Sequence, residues 1–306
     1  MTNSPENRVI LLMGPTAVGK TGASILLARH LGTEIISADS MQIYRHMDIG
    51  TEKPSPEQLR AVPHHMIDIV EPSEDFSAGR YLDMARPVME RLHAEGRMPL
   101  VVGGTGLYMR AMTRGLFDGP EADWELRNEL SESPPEELYR RLAAIDPEAA
   151  AAIEPANTRR VVRALEVCLK SGRPVSALRR EGTSPLPHEF VKLALKRDIA
   201  ELYAMIERRV DLMVERGLVD EVRRILGMGP ARTPMQAIGY KEVAASLEGA
   251  YPLEEALRLI KRNTRRYAKR QMTWFRSEPG IRWVDVTGIT DNDEVFERLM
   301  KELGAT

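Results

Sequence analysis

The segment Gly14-Pro15-Thr16-Ala17-Val18-Gly19-Lys20-Thr21 satisfies G-x-x-x-x-G-K-[ST] at every fixed position, and it constrains the fold more tightly than any other feature of the chain. The apolar run from Arg8 to Met13 precedes it. Thr21 to Leu31 follows with apolar residues at helical spacing up to Gly32, so the motif joins a strand to a helix. That context gives it a mechanism. The glycines let the loop curl until successive backbone N–H groups point inward, the helix N-terminus adds a positive dipole end, and Lys20 supplies a full charge. Thr21 offers a hydroxyl to Mg²⁺. Gly14, Pro15, Thr16, Ala17, Val18, Gly19, Lys20 and Thr21 are therefore expected to cradle the phosphates of a polyphosphate or diphosphate ligand.

A strand that feeds a helix through such a loop belongs to a parallel sheet. Further strands are expected at Glu34 to Ala38, His65 to Val70 and Met98 to Val102, with a helix over Ala78 to Glu95 between the last two. After Asp118-Gly119-Pro120 the texture changes, and Ala122 to Arg180 carries helical patterns with almost no strand signal. Pro134-Pro135 opens one of these helices, where a missing N–H costs nothing. Asn157 caps another that runs to Gly172. Strand character returns at Phe190 to Leu195, followed by helices over Ile199 to Arg216 and Val219 to Leu226 and a strand at Ile281 to Val286. The expected architecture is α/β: a P-loop NTPase-like parallel sheet core with helices on both faces, formed by residues 1–118 and 190–306, plus an all-helical insertion at 119–189.

Composition narrows the setting. At 306 residues, 43% hydrophobic and 29% charged, the chain can bury a sizeable core. The single cysteine, Cys168, excludes a disulfide framework, and no stretch of about eighteen apolar residues predicts a membrane span. The polar N-terminus, Met1 to Asn7, reads as neither signal peptide nor anchor; a cytoplasmic address is expected, as is a monomer.

A P-loop does not specify a reaction. Nucleoside triphosphatases end a second strand in an Asp that helps hold Mg²⁺. Here the Met98 to Val102 strand ends in Gly103-Gly104-Thr105-Gly106, and the carboxylate at a strand end is Asp39 instead. In a parallel sheet that position opens into the same crevice as the P-loop. A small-molecule or nucleoside kinase, using ATP with Asp39 as base, fits this much as well.

Basic residues cluster twice. Arg258, Lys261, Arg262, Arg265, Arg266, Lys269, Arg270 and Arg276 share one stretch with Tyr267, Trp274 and Phe275. At helical spacing they cannot all share a face, so some are solvated surface and others reach the crevice or a ligand. Arg159, Arg160 and Arg163 occupy the first turns of the helix capped by Asn157, where cations oppose the macrodipole and an anionic partner relieves them. A basic, aromatic-bearing surface beside a phosphate site suits RNA with an extruded base.

The P-loop occurs together with Asp39-Ser40-Met41-Gln42-Ile43-Tyr44, Met47-Asp48-Ile49-Gly50-Thr51-Glu52-Lys53-Pro54, Val102 to Gly106, Arg163-Ala164-Leu165-Glu166-Val167, Ala237 to Glu242 and Ala268-Lys269-Arg270-Gln271. With these strings the chain resembles the bacterial tRNA dimethylallyltransferases from about residue 8 to residue 276. The resemblance implies transfer of a dimethylallyl group from dimethylallyl diphosphate to N6 of the adenosine 3′ of the tRNA anticodon. It implies that Asp39 orients the amine and accepts its proton, with Lys20, Thr21 and Mg²⁺ stabilising the departing diphosphate and Arg209 contacting it. Thr105 would line the channel to the target base, and Ser40, Met41 and Gln42 would meet the flipped nucleotide. Arg127, Arg159, Arg160, Val161, Val162 and Arg163, with Gln236, Ala237, Ile238, Gly239, Tyr240 and Lys241, would grip the anticodon stem-loop. Eukaryotic relatives carry a Cys/His zinc finger whose spacing this sequence lacks, so no zinc is expected, and His64-His65, diverging on a strand, is not expected to bind metal.

Overall fold

The computed structural model describes residues 7–117 and 119–304. Met1 to Glu6, from the polar N-terminal stretch, and Asp118, where the expected domain boundary falls, lie outside the described residues.

The apolar run forms β1 (Arg8–Met13), and the pattern after the glycine loop forms α1 (Lys20–His30). Then come β2 (Ile35–Ala38), α2 (Pro56–Ala61), β3 (His64–His65), α3 (Ala78–Ala94), β4 (Leu100–Gly103) and α4 (Gly106–Arg114). Five helices follow: α5 (Trp124–Ser131), α6 (Pro135–Ile145), α7 (Pro147–Ala151), α8 (Thr158–Ser171) and α9 (Val175–Gly182). The chain continues through β5 (Glu189–Lys196), α10 (Ile199–Glu215), α11 (Leu218–Gly227), α12 (Tyr240–Leu247), α13 (Leu253–Ser277), β6 (Ile281–Asp285) and α14 (Asn292–Leu303).

The six strands make one wholly parallel sheet in the order β3-β2-β4-β1-β5-β6. β1 is central, with Ile10 opposite Leu100 on one side and Val191 on the other. Val9 to Met13 are all buried. Because alternate side chains leave opposite faces of a strand, both faces of β1 are covered. On one face Ile10 and Leu12 pack with Ala23 and Leu27 of α1, Leu202 and Ile206 of α10 and Leu299 of α14. A second cluster holds the loop after β2, where Ile43, Tyr44 and Met47 meet Val222, Tyr240 and Val243.

The expected strand over His65 to Val70 is mostly absent. Only His64 and His65 pair with β2, and Val70 makes an isolated bridge to Tyr44. Met66 and Asp68 take positive φ values of 63° and 54°, which breaks the extended run. Lys53 holds that turn by pairing with the Asp68 carboxylate. An apolar stretch read alone does not reveal a turn secured by a lysine elsewhere.

The chain divides into two compact units, one formed by residues 1–109 and 187–306 and the other by Arg110–Leu186. The second unit is helical. Leu138, Leu142, Val161, Leu165, Cys168 and Val175 form its core. Asp146 caps α7 through Ala149 N–H and also accepts from the backbone and hydroxyl of Ser176, tying α9 to α7. Leu186 N–H donates to Met112 O at 2.9 Å and closes the unit at its base.

Candidate active site

A crevice of about 720 Å³ opens at the carboxyl ends of the strands. Thr16 to Gly22, Ser37, Asp39, Gln42, Glu52, Gly103, Gly104, Arg208, Arg209, Tyr267 and Gln271 are among its lining residues. The P-loop runs into α1 through Gly19 at φ 104°, a conformation that favours glycine, while Ala17 takes φ 65°. Such left-handed steps turn successive amides toward one point, the geometry of an anion nest.

The positive groups are strongly desolvated. Lys20 Nζ donates to Gly14 O at 2.9 Å and Pro15 O at 2.8 Å. Burial lowers the pKa of its ammonium to about 8, with the Asp39 charge opposing that shift and the Arg209 charge adding to it. Arg209 reaches from α10 and donates to the Thr16 hydroxyl at 3.1 Å. Burial also pulls its pKa down, against the nearby carboxylates of Glu52 and Asp39. Glu52 accepts from Arg216 at 2.9 Å. Glu52 Oε2 also stands 4.0 Å from Arg209 Nε, so Glu52 and Asp39 balance part of the positive charge that Lys20, Arg208 and Arg209 bring to the crevice.

Asp39 stands across this pocket at the end of β2. Its Oδ1 accepts the backbone N–H of Met41 at 2.9 Å and of Gln42 at 3.4 Å. Oδ2 makes no hydrogen bond among the described residues, so one carboxylate oxygen is held and the other is available to a ligand. Thr105 links the two loops at this end: its N–H donates to Ala38 O at 3.1 Å, and its hydroxyl accepts Ser40 N–H at 3.0 Å. Tyr267 closes one wall; burial first, and the Asp39 charge second, raises its pKa and keeps the phenol neutral.

Several expected contact residues also hold the fold. Gln42 donates its amide to Thr51 O and Glu52 O and accepts from Ser37, and Met41 packs on the second apolar cluster. Ala237 and Tyr240 are buried, and the Tyr240 hydroxyl donates to Glu221 at 2.5 Å. Gln236 and Lys241 are exposed, Ile238 is half-buried, and Gly239 starts α12. His65 is taken up by Glu34 at 2.6 Å.

Within the helical unit, Val161 and Val162 lie in the core at 0% and 5% exposure, so their side chains offer no surface for RNA. Arg127 grips the fully buried Glu166 with two bonds of 3.0 and 2.9 Å, and Arg163 pairs with the same carboxylate. Arg159 and Arg160 are exposed and have no ion pair among the described residues. The alternation follows from helical period: the residues at 161 and 162 face inward from α8, and those at 159 and 160 face outward.

The sequence reading missed the role of Gln271. From α13 its Oε1 accepts Thr16 N–H at 2.9 Å and its Nε2 donates to Gly104 O at 2.9 Å. Its signal was a neutral amide on the apolar stripe Ile260, Ala268, Phe275 of an otherwise cationic helix. Glu221 was missed too. It is 1% exposed and accepts the backbone N–H groups of Asp48, Ile49 and Gly50.

Known proteins resemble the chain over nearly its whole length. The tRNA dimethylallyltransferase of Thermodesulfovibrio yellowstonii is 48% identical over 97% of this chain and 98% of its own length. That of Citrifermentans bemidjiense, named tRNA dimethylallyltransferase 1, is 49% identical over 92% and 93%. Among solved structures, the tRNA isopentenylpyrophosphate transferase of Bacillus halodurans is 42% identical with a TM-score of 0.71, covering 97% of this chain and 98% of that one. A eukaryotic dimethylallyltransferase acting on tRNA gives a TM-score of 0.81 at 29% identity, over 96% of this chain and 78% of its own. The family model described as IPP transferase matches residues 42–278, and the chain belongs to that family.

Proposed function

We propose that this enzyme transfers a dimethylallyl group from dimethylallyl diphosphate to N6 of the adenosine on the 3′ side of the tRNA anticodon, releasing diphosphate. The observation that carries the reading is a cationic P-loop crevice that faces a half-free carboxylate, Asp39, while β4 ends in Gly103-Gly104 with no carboxylate of its own.

The chemistry follows from these positions. The diphosphate occupies the amide nest, with Lys20 and Arg209 against its oxygens and the N-terminus of α1 behind it. As the C1–O bond breaks, the bonding pair leaves with the diphosphate, and these fixed charges stabilise it without reorganising. The exocyclic amine attacks C1, and Asp39 Oδ2 takes the N6 proton. Thr105 holds the Asp39 loop to the loop after β4 and so sets the amine's approach. Mg²⁺ fits this arrangement through the Thr21 hydroxyl. No group of three metal-ligating side chains occurs among the described residues, so the ion would draw most of its ligands from the diphosphate and water. When bound it neutralises leaving-group charge. Arg159 and Arg160, exposed on α8, supply cations for the phosphates of the anticodon stem.

The test is direct. Purified enzyme with radiolabelled dimethylallyl diphosphate, Mg²⁺ and undermodified tRNA is expected to give labelled tRNA with no ATP present. Absence of label, together with phosphate transfer from ATP, would establish a kinase instead.

A further inference from the structure

We infer that Gln271 is a positioning residue that sets the register between the diphosphate cradle and the loop carrying Asp39. The inference rests on the function proposed above. The transfer joins two groups held by different segments: the leaving group by the loop after β1, the amine by the loops after β2 and β4. Gln271 bridges them. Its Oε1 takes the Thr16 N–H of the P-loop, and its Nε2 gives a bond to Gly104 O. The next residue, Thr105, bonds Ala38 O and Ser40 N–H on either side of Asp39. Hydrogen bonds joined through the Gly104–Thr105 peptide thus connect the phosphate loop to the backbone on both sides of Asp39.

The residue type matches the task. One buried group must accept from an amide and donate to a carbonyl, which a side-chain amide does and neither an apolar nor a charged side chain does. Gln271 is 7% exposed and its bond to Gly104 O is buried, so that carbonyl left alone becomes an unsatisfied buried polar group. The fit is close: a Cβ at Gly104 would lie 2.3 Å from Gln271 Nε2. α13 is itself pinned on both sides of this residue. Tyr267, one turn earlier, lines the crevice, and the Trp274 ring, one turn later, rests on Gly106, where a Cβ would come within 2.7 Å.

The test uses the full chain with dimethylallyl diphosphate and unmodified tRNA. Gln271→Met, close in shape but lacking both bonds, is expected to lower kcat roughly 10- to 100-fold, the usual result of displacing reacting groups by about 1 Å. The KM for tRNA should stay within about three-fold, because no contact with tRNA is removed. Gln271→Glu keeps the acceptor and regains a donor only when protonated. Its rate relative to wild type should therefore climb as pH falls, while the Gln271→Met ratio stays flat, with the folded fraction of each variant followed by circular dichroism at every pH so that a loss of stability is scored apart from kcat. This isosteric variant keeps the experiment decisive should the methionine variant fail to fold. A Gln271→Met kcat within about two-fold of wild type, or a Gln271→Glu ratio flat with pH, overturns the inference while wild-type activity leaves the proposed function standing. A wild-type enzyme that transfers no dimethylallyl group overturns both.

Discussion

If Lys20 holds the diphosphate as proposed, binding is a proton-linked event. In the open crevice its ammonium has a pKa of about 8, because burial removes water and the two loop carbonyls it touches do not fully replace it. A bound diphosphate puts negative charge beside it and raises that pKa. The ligand's own last ionisation lies near 6 by analogy with phosphate esters, so above about pH 7 the lysine alone titrates with binding. Free enzyme above pH 8 is mostly deprotonated and must take up a proton to bind. The apparent Kd should then grow as 1 + 10^(pH − 8), rising about 30-fold between pH 7 and 9.5, or about 2 kcal/mol. Titration calorimetry of dimethylallyl diphosphate at constant Mg²⁺, in buffers of different ionisation enthalpy, measures both quantities. Proton uptake should be about half a proton per ligand at pH 8 and approach one at pH 9. Lys20→Arg, whose charge persists throughout, should bind with no such slope. Wild-type binding that takes up no proton near pH 8.5, or a Lys20→Arg enzyme showing the same uptake, would refute the reasoning.

Asp39→Asn should reduce single-turnover transfer by roughly 10²- to 10⁴-fold and leave tRNA affinity intact, as gel-shift titration would show, since it removes the proton acceptor and keeps the shape. The double variant Arg159→Ala, Arg160→Ala should weaken tRNA binding for all sequences alike and lower the slope of log K against log salt by about two, measured by filter binding from low to moderate salt. Glu166→Ala strands the guanidinium groups of Arg127 and Arg163 and the Asp123 N–H, and should cost about 3 kcal/mol in urea unfolding at neutral pH. Burial of Glu166 raises its pKa, but Arg127, the Asp123 amide and Arg163 outweigh burial, and the net shift is downward. A carboxylate whose folded pKa is depressed stabilises above its unfolded value and loses that contribution as pH falls through the folded one, so the gap between wild type and variant should close in acid.

The sheet core was legible because its signals are local. A strand, a glycine loop and a helix follow one another within the first thirty-one residues, and Asn157, Gly172 and Pro135 mark helix ends where they stand. The position of Asp39 in the crevice was legible because it combines a strand end with a carboxylate. What stayed hidden depends on partners distant in the chain. Arg127 and Arg163 looked like free cations, and only the fold reveals Glu166 between them. The same blindness turned Val161 and Val162, adjacent to two exposed arginines, into surface candidates.

Hidden partners also explain why the most family-specific strings hold so little chemistry. Within Asp39 to Tyr44 and Met47 to Pro54, Asp39 presents to the crevice a carboxylate oxygen with no hydrogen bond among the described residues, while Gln42 and Glu52 line it with their polar groups already engaged. Glu221 gathers the N–H groups of Asp48, Ile49 and Gly50, and Gly50 must lack a Cβ because the Tyr240 ring would lie 2.4 Å from it. Lys53 ties Tyr44 O at 2.6 Å and Asp48 at 2.7 Å, and the Thr51 hydroxyl returns to Met47 O at 2.5 Å. Gln42 then fastens that loop back to the strand end through Thr51 O, Glu52 O and Ser37. Each residue fixes its neighbour, and the free end of the assembly is the carboxylate. A loop after a strand is ordinarily mobile, but proton transfer needs its acceptor held to within a fraction of an ångström. These strings therefore act as a support that holds one aspartate still at that place.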